Sequence, residues 1–199
     1  DRNAQPAQGT SYANAGSMTA SRAGPWASPR AIAKTLKGYF DQDSPFKLKL
    51  QPDPQQWRWL TGFLQSAYSE HASAKRSAMI TLARDSILER RLLDQELQLD
   101  YGGVYPGLLS VYEKAEDFDA AASDVEYLRR LGITVQLLNS VECAKLIPSA
   151  SWSNWSVVGA TLTTDDETGD CHRFCHALDT ALAAMGIERR YGEEVLQLD

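Results

Sequence analysis

The amino-acid sequence predicts an α/β protein. Segments in which apolar residues recur with a helical period alternate with short segments whose apolar residues alternate as in strands. Most of the helical segments begin at a residue type that caps helix N-termini. The chain has 199 residues, 43% of them hydrophobic and 23% charged, which is enough for one folded core and part of a second.

The first quarter of the chain is expected to hold a loop, a helix and a short strand. Residues 1–29 are rich in Ala, Gly, Ser and Pro and lack a helical period, which predicts an ordered surface loop, with disorder as the alternative. Ser28 and Pro29 supply an N-cap and a first-turn proline for a helix. Residues 46–50 alternate apolar side chains with Lys47 and Lys49, which predicts an amphipathic strand.

Two longer helices follow. Asp53 and Gln56 are spaced as a capping box with Pro54 at the first helical position, and the helical period continues to about residue 70. Ser73 opens a second, long helix whose inner face is expected to carry Met79, Ile80, Ala83 and Ile87. A solvated outer face, rather than a binding patch, is expected for its charged residues Arg84, Glu89, Arg90 and Arg91.

Strands and helices alternate over the second half. Strands are predicted to about residue 113 after the Gly102-Gly103 turn, over 133–138, over 157–163 after a turn around Trp152 and Trp155, and over 187–191. Between them a helix ends at Gly132, which accepts the left-handed conformation, and a short helix is capped by residues 139–142 and ended by Pro148. The last helix begins after Asp170.

The N-terminal loop (residues 9–16, GTSYANAG) is the strongest candidate for a binding element. Its glycines and alanines let the backbone approach a ligand closely, and Thr10, Ser11 and Asn14 offer short polar groups beside exposed amides. Such a loop suits a flat cofactor with a polar rim. The same composition is also typical of an ordinary turn.

Two other clusters are interpreted structurally. Residues 165–170 hold four carboxylates, which suit acid/base work or a cation, but an N-cap at Asp170 and a polar turn before it explain them more simply. Residues 171–176 (CHRFCH) have the spacing of metal ligands. Cys171 continues an apolar stripe with Phe174 and Leu178, and no second cluster supplies ligands, so we expect neither metal nor haem there.

Four blocks together resemble a known family. Asp1-Arg2, residues 10–16, residues 25–29 (PWASP) and residues 166–171 (DETGDC) occur in the order and at the spacing typical of the small subunit of bacterial D-amino acid dehydrogenases, in the FAD-dependent D-amino acid oxidase superfamily. The blocks extend over nearly the whole chain. The G-x-G-x-x-G turn of that family is not in this sequence, so the chain is expected to be an internal fragment that holds FAD weakly by itself.

The resemblance implies a fold and a division of the chain. It implies an α+β substrate domain, with a mostly antiparallel sheet and helices on one side, joined to pieces of a Rossmann-like FAD domain. Residues 1–29 would be an FAD-domain segment with the flavin-contacting loop. Residues 30–164 would form the substrate domain, and residues 165–199 the return helix and strand of the FAD domain.

The resemblance also assigns cofactor-binding residues. Asp1 matches the acidic residue that binds the adenosine ribose, Arg2 is its usual neighbour, and Val195 matches the position whose backbone meets the adenine. The pyrophosphate, ribityl chain and flavin edge would be lined by Thr10, Ser11, Asn14, Ala15 and Gly16. No catalytic residue is assigned, and replacing Gly16 with Val is expected to lower FAD content.

Activity and partners are likewise implied by the resemblance. The expected activity is oxidative deamination of D-amino acids, with electrons passing to a respiratory acceptor such as a quinone. Related substrates (glycine, N-methylated amino acids) and a non-catalytic binding domain remain alternatives. A net charge of −6 with scattered Lys and Arg argues against nucleic-acid binding, and three cysteines favour a reducing compartment. The expected location is the cytoplasm, with peripheral association at the inner membrane left open.

Overall fold

The structure is a computed structural model that describes residues 2–37, 49–148 and 156–197. It divides into two compact units, Arg22–Leu82 and a larger unit made of Asp1–Ser21 and Ala83–Asp199. In the described ranges no helix combines the length and the apolar character needed to cross a membrane. The predicted turn around Trp152 and Trp155 lies outside the described residues.

The smaller unit contains α1 (Pro29–Lys37), α2 (Pro54–Ala67) and the beginning of α3 (Ala72–Leu97). The predicted cap of α1 is confirmed, because the Ser28 hydroxyl accepts a hydrogen bond from the Ala31 amide at 3.2 Å. Most of the strand predicted over 46–50 lies outside the described residues, and Lys49 and Leu50 belong to no strand.

The capping box predicted for α2 is only half correct. Asp53 is the N-cap and Pro54 is the first helical residue, and the Asp53 carboxylate accepts from the Gln55 amide at 2.9 Å. The reciprocal bond does not form, because the Gln56 side chain accepts from the Gln51 amide at 2.7 Å and donates to the Lys49 carbonyl at 2.9 Å. Gln56 therefore ties down the segment before the helix instead of closing the box.

The larger unit is built on a three-stranded antiparallel sheet of β2 (Leu108–Tyr112), β3 (Val135–Asn139) and β4 (Gly159–Thr163). The last strand in sequence is central in space, since β4 pairs with β2 on one edge and with β3 on the other. Thr161 is opposite Ser110 on one side and Leu137 on the other. The two outer strands therefore run parallel to each other and are joined through a helix crossover.

Two helices, α4 (Ala115–Arg130) and α5 (Ser140–Leu146), pack against this sheet. Gly132 ends α4 with φ of +80°, and Asn139 and Glu142 form the predicted capping box of α5, so both sequence signals are confirmed. Residues from these helices and from the strands beside them form a buried core: Val125, Leu128, Ile133, Val135, Cys143 and Ala160.

A second, two-stranded sheet lies in the same unit. β1 (Ser17–Met18) pairs antiparallel with β5 (Glu167–Thr168), so segments about 150 residues apart in sequence meet. The helix α6 (Cys171–Ala184) follows directly, and its N-cap Asp170 accepts from the Arg173 amide at 3.0 Å, as predicted. The helices and antiparallel sheets confirm the predicted α/β class.

The strand predicted over 187–191 is wrong, because these residues are in no strand. The Ile187 amide donates to the Leu182 carbonyl of α6 at 3.0 Å, and just beyond this segment the Gly192 amide donates to the Asn3 carbonyl at 2.9 Å. Neither bond makes a ladder, and an isolated extended segment gains no stability from its side-chain pattern alone.

Candidate functional site

The N-terminal loop (residues 9–16) is mostly exposed, and its last residue, Gly16, is held by hydrogen bonds from residues 168–169. Its residues Thr10–Tyr12 form one turn of 3₁₀-helix, and Thr10, Ala13, Asn14 and Ala15 are exposed. The Asn14 side-chain oxygen accepts from the Gly16 amide at 2.9 Å, which leaves the Asn14 amide group free to donate elsewhere. Polar atoms of the loop therefore face the surface, where a ligand can reach them.

Gly16 is needed for contact with the protein's own backbone. Its φ is +61°, and a Cβ added there would lie 2.0 Å from the Gly169 carbonyl oxygen. The Gly16 carbonyl accepts from the Gly169 amide at 2.9 Å and from the Thr168 hydroxyl at 3.2 Å. The Gly16 substitution expected to disturb a cofactor would therefore disturb this packing first.

One face of α6 packs against the loop. The Tyr12 ring meets the His172 ring edge-on with 5.2 Å between centroids, and the Ser11 hydroxyl hydrogen-bonds to the Cys175 thiol. Burial raises the pKa of Cys175, an effect the Ser11 contact only partly opposes. The thiol thus stays protonated at neutral pH and is a packing group, not an activated nucleophile.

Residues 166–169, here called the clamp segment, hold the end of the N-terminal loop and the residues that follow it, from Gly16 to Ser21. Asp166 is fully buried and accepts from the Ser21 hydroxyl at 2.5 Å and, through its other oxygen, from the Ser21 amide at 3.4 Å. Burial raises the pKa of Asp166, and the bonds from Ser21 and Ala20 oppose that rise. The carboxylate thereby fixes the chain just after β1, a few residues beyond the loop.

Glu167 is the second anchor of the clamp segment. Its side chain is 0% exposed and accepts from both Arg90 and Arg91 of α3, whose side chains are 11% and 35% exposed. Arg91 also donates to the Asp165 carbonyl at 3.2 Å, and the Asp165 carboxylate accepts from the Thr134 amide at 2.5 Å. The Glu167 carboxylate is thus paired inside the unit, whereas Arg90 Nε is buried without a hydrogen-bond partner among the described residues.

The predicted solvated face of α3 is therefore wrong at Arg90 and Arg91. Ile80 and Ile87 are 1% and 7% exposed, and positions 90 and 91 continue the same helical face. Two arginines on the buried face of a helix require buried partners. Their position in the helical pattern is therefore the sequence signal from which an acidic partner elsewhere in the chain could have been predicted. Residues 165–167 are accordingly not a simple polar turn, although Asp170 is the predicted N-cap.

A chain of hydrogen bonds continues from Arg90. Arg90 donates to the Tyr101 hydroxyl, the Tyr101 and Tyr105 hydroxyls are 3.0 Å apart, and Tyr105 donates to Asp94 at 3.1 Å. Burial, followed by the bond with Tyr105, raises the pKa of Tyr101. Tyr101 is 3% exposed and packs edge-on against Phe174 of α6, so the chain of bonds links α3 to α6.

The residues assigned to the adenosine end lie where the two ends of the chain meet. Arg2 Nη1 is 3.9 Å from Glu194 Oε1, and the Asn3 carbonyl accepts from the Gly192 amide. Val195 is 72% exposed. Asp1 lies outside the described residues. The structure thus brings Arg2 close to the segment preceding Val195, and the assignment of these residues to the adenosine remains a prediction.

Other features offer little chemistry. Within the described parts of the chain, no group of three or more His, Cys, Asp or Glu side chains is arranged to hold a metal ion. A shallow depression on α2, lined by Gln55, Arg58, Trp59, Gly62 and Phe63, contains none of the predicted site residues.

The residues of the N-terminal loop fit FAD in part. Thr10, Asn14 and Ala15 are exposed and supply polar atoms and open backbone, and nothing lies within 4 Å of a Cβ built on Gly9. Ser11 and Gly16 instead serve contacts within the protein. The donor set suits the hydroxyl-rich and carbonyl-rich edges of the cofactor, and it contains no cation to balance a pyrophosphate.

Comparison with known proteins gives the family. A family profile described as FAD dependent oxidoreductase matches residues 1–199. The chain is 31% identical over 199 residues to a D-amino acid dehydrogenase of Rhodopseudomonas palustris strain HaA2, covering 100% of this chain and 47% of that protein. It is 32% identical over 198 residues to a D-amino acid dehydrogenase of Rhizobium rhizogenes, covering 100% and 48%.

A solved structure is similar as well. The glycine oxidase of Geobacillus kaustophilus is 25% identical, with a TM-score of 0.50 over 58% of this chain and 32% of that one. The chain spans about half the length of the curated relatives it matches.

Proposed function

This chain belongs to the FAD-dependent oxidoreductase family, and from that premise we propose that it forms part of an enzyme that oxidatively deaminates D-amino acids. The observation that carries the proposal is the match to two D-amino acid dehydrogenases over the full length of this chain, at 31% and 32% identity.

The proposed reaction is a two-electron oxidation. When bound, FAD supplies the acceptor for a hydride from the α-carbon of the amino acid. Loss of the hydride turns the neutral amine into an iminium group, which releases a proton to solvent to become the imine, and water then adds to it to give a 2-oxo acid and ammonia. A neutral amine supplies its own lone pair, so the protein's task is to orient the α-carbon, and no side chain of this chain is assigned as a base.

We assign the cofactor contacts in two groups. Thr10, Asn14 and Ala15 are placed to meet the cofactor directly, since they are exposed on the N-terminal loop. The adenosine end is assigned to Arg2 and Val195 together with Asp1. Ser11 and Gly16 act by fixing the shape of the loop against α6 and the clamp segment.

The clamp segment has a positioning role in this proposal. The loop can present its polar atoms in one geometry only if the chain that follows it is fixed. That chain is β1, which is held through its pairing with β5. Asp166, directly before β5, and Glu167, within β5, supply side-chain anchors for that pairing. The pairing also supports the grouping of residues 1–29 with residues 165–199 in one cofactor-binding part, while residues 30–164 supply the substrate domain.

A second candidate substrate class is glycine and N-methylated amino acids. The observation that favours it is the structural similarity to a glycine oxidase at a TM-score of 0.50. We rank it second because the two dehydrogenases match all of this chain, whereas the glycine oxidase match covers 58% of it.

The acceptor and the location are part of the same proposal. A dehydrogenase passes its electrons to an acceptor other than oxygen, and we assign a respiratory quinone. Three cysteines with no disulfide among them suit the reducing cytoplasm, and delivery to a quinone favours the cytoplasmic face of the inner membrane as the proposed location.

The test is a substrate panel on the protein expressed with its native flanking sequence. D-alanine and other D-amino acids should reduce an artificial dye acceptor, with 2-oxo acid and ammonia formed in equal amounts and an FAD absorption spectrum in the purified protein. Turnover of glycine or sarcosine but not D-amino acids would select the second candidate. A protein with neither flavin nor turnover would instead be a binding domain.

A further inference from the structure

Two histidines of α6 form a close pair that the proposed function does not use. His172 and His176 are one helical turn apart, and their Nε2 atoms are 3.2 Å apart. Both side chains are half-buried, and their ring centroids are separated by 4.5 Å. The helix therefore holds the two Nε2 atoms side by side, within reach of one shared partner.

The nitrogen separation suits a chelated metal ion. Two imidazole nitrogens each about 2.1 Å from one ion are about 3.0 Å apart at a right angle and about 3.4 Å apart at a tetrahedral angle. The observed 3.2 Å lies between these values. Histidines four residues apart on a helix are a spacing that zinc enzymes use for the same geometric reason.

The sequence led us to expect no resident metal at residues 171–176, and the described residues hold no cluster of three ligands; against that expectation we propose that His172 and His176 form a two-histidine site for an exchangeable divalent transition metal, with water completing its coordination. Both rings bind the ion through Nε2, and the ring that carried its proton on Nε2 takes the tautomer with the proton on Nδ1. Neutral imidazole is the preferred protein ligand of Ni²⁺, Cu²⁺ and Zn²⁺, so these ions are the expected ligands, and Mg²⁺ and Ca²⁺ are not.

The described neighbours of the histidine pair, Tyr12 and Cys175, are engaged in other contacts, so the two imidazoles are the protein ligands of the proposed site. The Tyr12 ring packs edge-on against His172, and the Cys175 thiol is hydrogen-bonded to Ser11. A site with two protein donors is weaker than a structural zinc site with four. It is thus compatible with a protein that carries no resident metal when purified in the presence of a chelator.

The experiment is calorimetric titration of the chelator-treated chain with NiCl₂. One equivalent should bind to the wild type, and Cu²⁺ should bind more tightly and Co²⁺ more weakly. Removing even an outer partner of a metal ligand costs about 10–100-fold in affinity, so His172→Gln and His176→Gln should each lose at least about tenfold. The matched control is His71→Gln, since His71 is exposed and far from any second histidine in sequence.

A measurement on the wild type covers the case in which a variant fails to fold. Co²⁺ should shift or broaden the imidazole proton resonances of His172 and His176 and leave those of His71 unchanged. Equal binding by the His172→Gln and His71→Gln variants would show that the two rings are only a hydrogen-bonded pair. Loss of binding on Cys175→Ala would contradict a site made of two imidazoles.

Discussion

Replacing Glu167 with Gln tests whether the clamp segment depends on its buried charge. The change keeps the shape of the side chain and removes its charge, leaving Arg90, 11% exposed, and Arg91 facing a neutral amide. Removing one partner of a buried ion pair costs about 3–5 kcal/mol. Because the amide oxygen can still accept one bond, we expect about 3 kcal/mol, out of a total stability of about 5–15 kcal/mol.

The assay is urea unfolding followed by far-UV circular dichroism, with the exchange of backbone amides measured in parallel. A loss of about 3 kcal/mol corresponds to a fall in melting temperature of about 6–12 °C for a chain of this size. Exchange should accelerate locally in β1 and β5, because Glu167 anchors their pairing.

The matched control is Glu188→Gln. Glu188 accepts from Arg190 at 2.8 Å, as Glu167 does from its arginines, but these two side chains are 74% and 65% exposed. An exposed pair contributes about 0–1 kcal/mol, so this variant should be nearly neutral. If Glu167→Gln costs no more than Glu188→Gln, or leaves exchange in β1 unchanged, the reasoning about the clamp segment is refuted.

Three further predictions follow from the site. Folding raises the pKa of Asp166, so the stabilisation that this group contributes is fully present below its unfolded pKa and is lost as the pH rises through the raised, folded pKa. In urea unfolding, the Asp166→Asn variant should therefore gain stability relative to the wild type as the pH is raised above about 4, and a constant difference would contradict this. Gly16→Ala should lower the free energy of unfolding by more than about 1 kcal/mol, because residue 16 has a left-handed backbone and an added Cβ would collide with the Gly169 carbonyl. Gly9→Ala should be nearly neutral, since nothing lies within 4 Å of a Cβ there. Equal urea midpoints for the two variants would contradict the packing argument. The 199-residue chain should bind FAD only with a dissociation constant in the micromolar to millimolar range, as measured by calorimetry. Its sequence lacks the G-x-G-x-x-G turn, and the loss of three charge-assisted hydrogen bonds from such a turn would remove about 4.5–9 kcal/mol of binding free energy. Submicromolar binding would overturn this prediction.

Sequence alone was sufficient for features that depend on neighbours within a few residues. The cap at Ser28, the capping box of Asn139 and Glu142, the left-handed Gly132 and the N-cap Asp170 were all predicted correctly. Each is a bond or a backbone conformation set inside one helical turn, so the residue types that form it are adjacent in sequence. The assignments of cofactor contacts in the N-terminal loop remain predictions.

The sequence predictions failed where other backbone groups competed for a capping side chain, and where a predicted strand had no second strand beside it. Gln56 had the right spacing to close the box with Asp53, but two backbone groups preceding the helix bind its amide instead. Residues 187–191 had a plausible strand pattern and no neighbouring strand to pair with. A pattern fixes which face of a segment is apolar, and it does not supply the second segment that a ladder requires.

The sequence by itself determined the α/β class, the order of the helices and of the three strands of the larger sheet, and most of the helix caps. The tertiary structure alone decided that β4 lies between β2 and β3, that Arg90 and Arg91 bind Glu167 some 76–77 residues away, and that Gly16 packs on Gly169. The physical reason is the range of the forces involved. Caps and periodicity are fixed by bonds within a turn, whereas burying a charge or bringing two backbones into contact depends on partners that only the folded chain brings together.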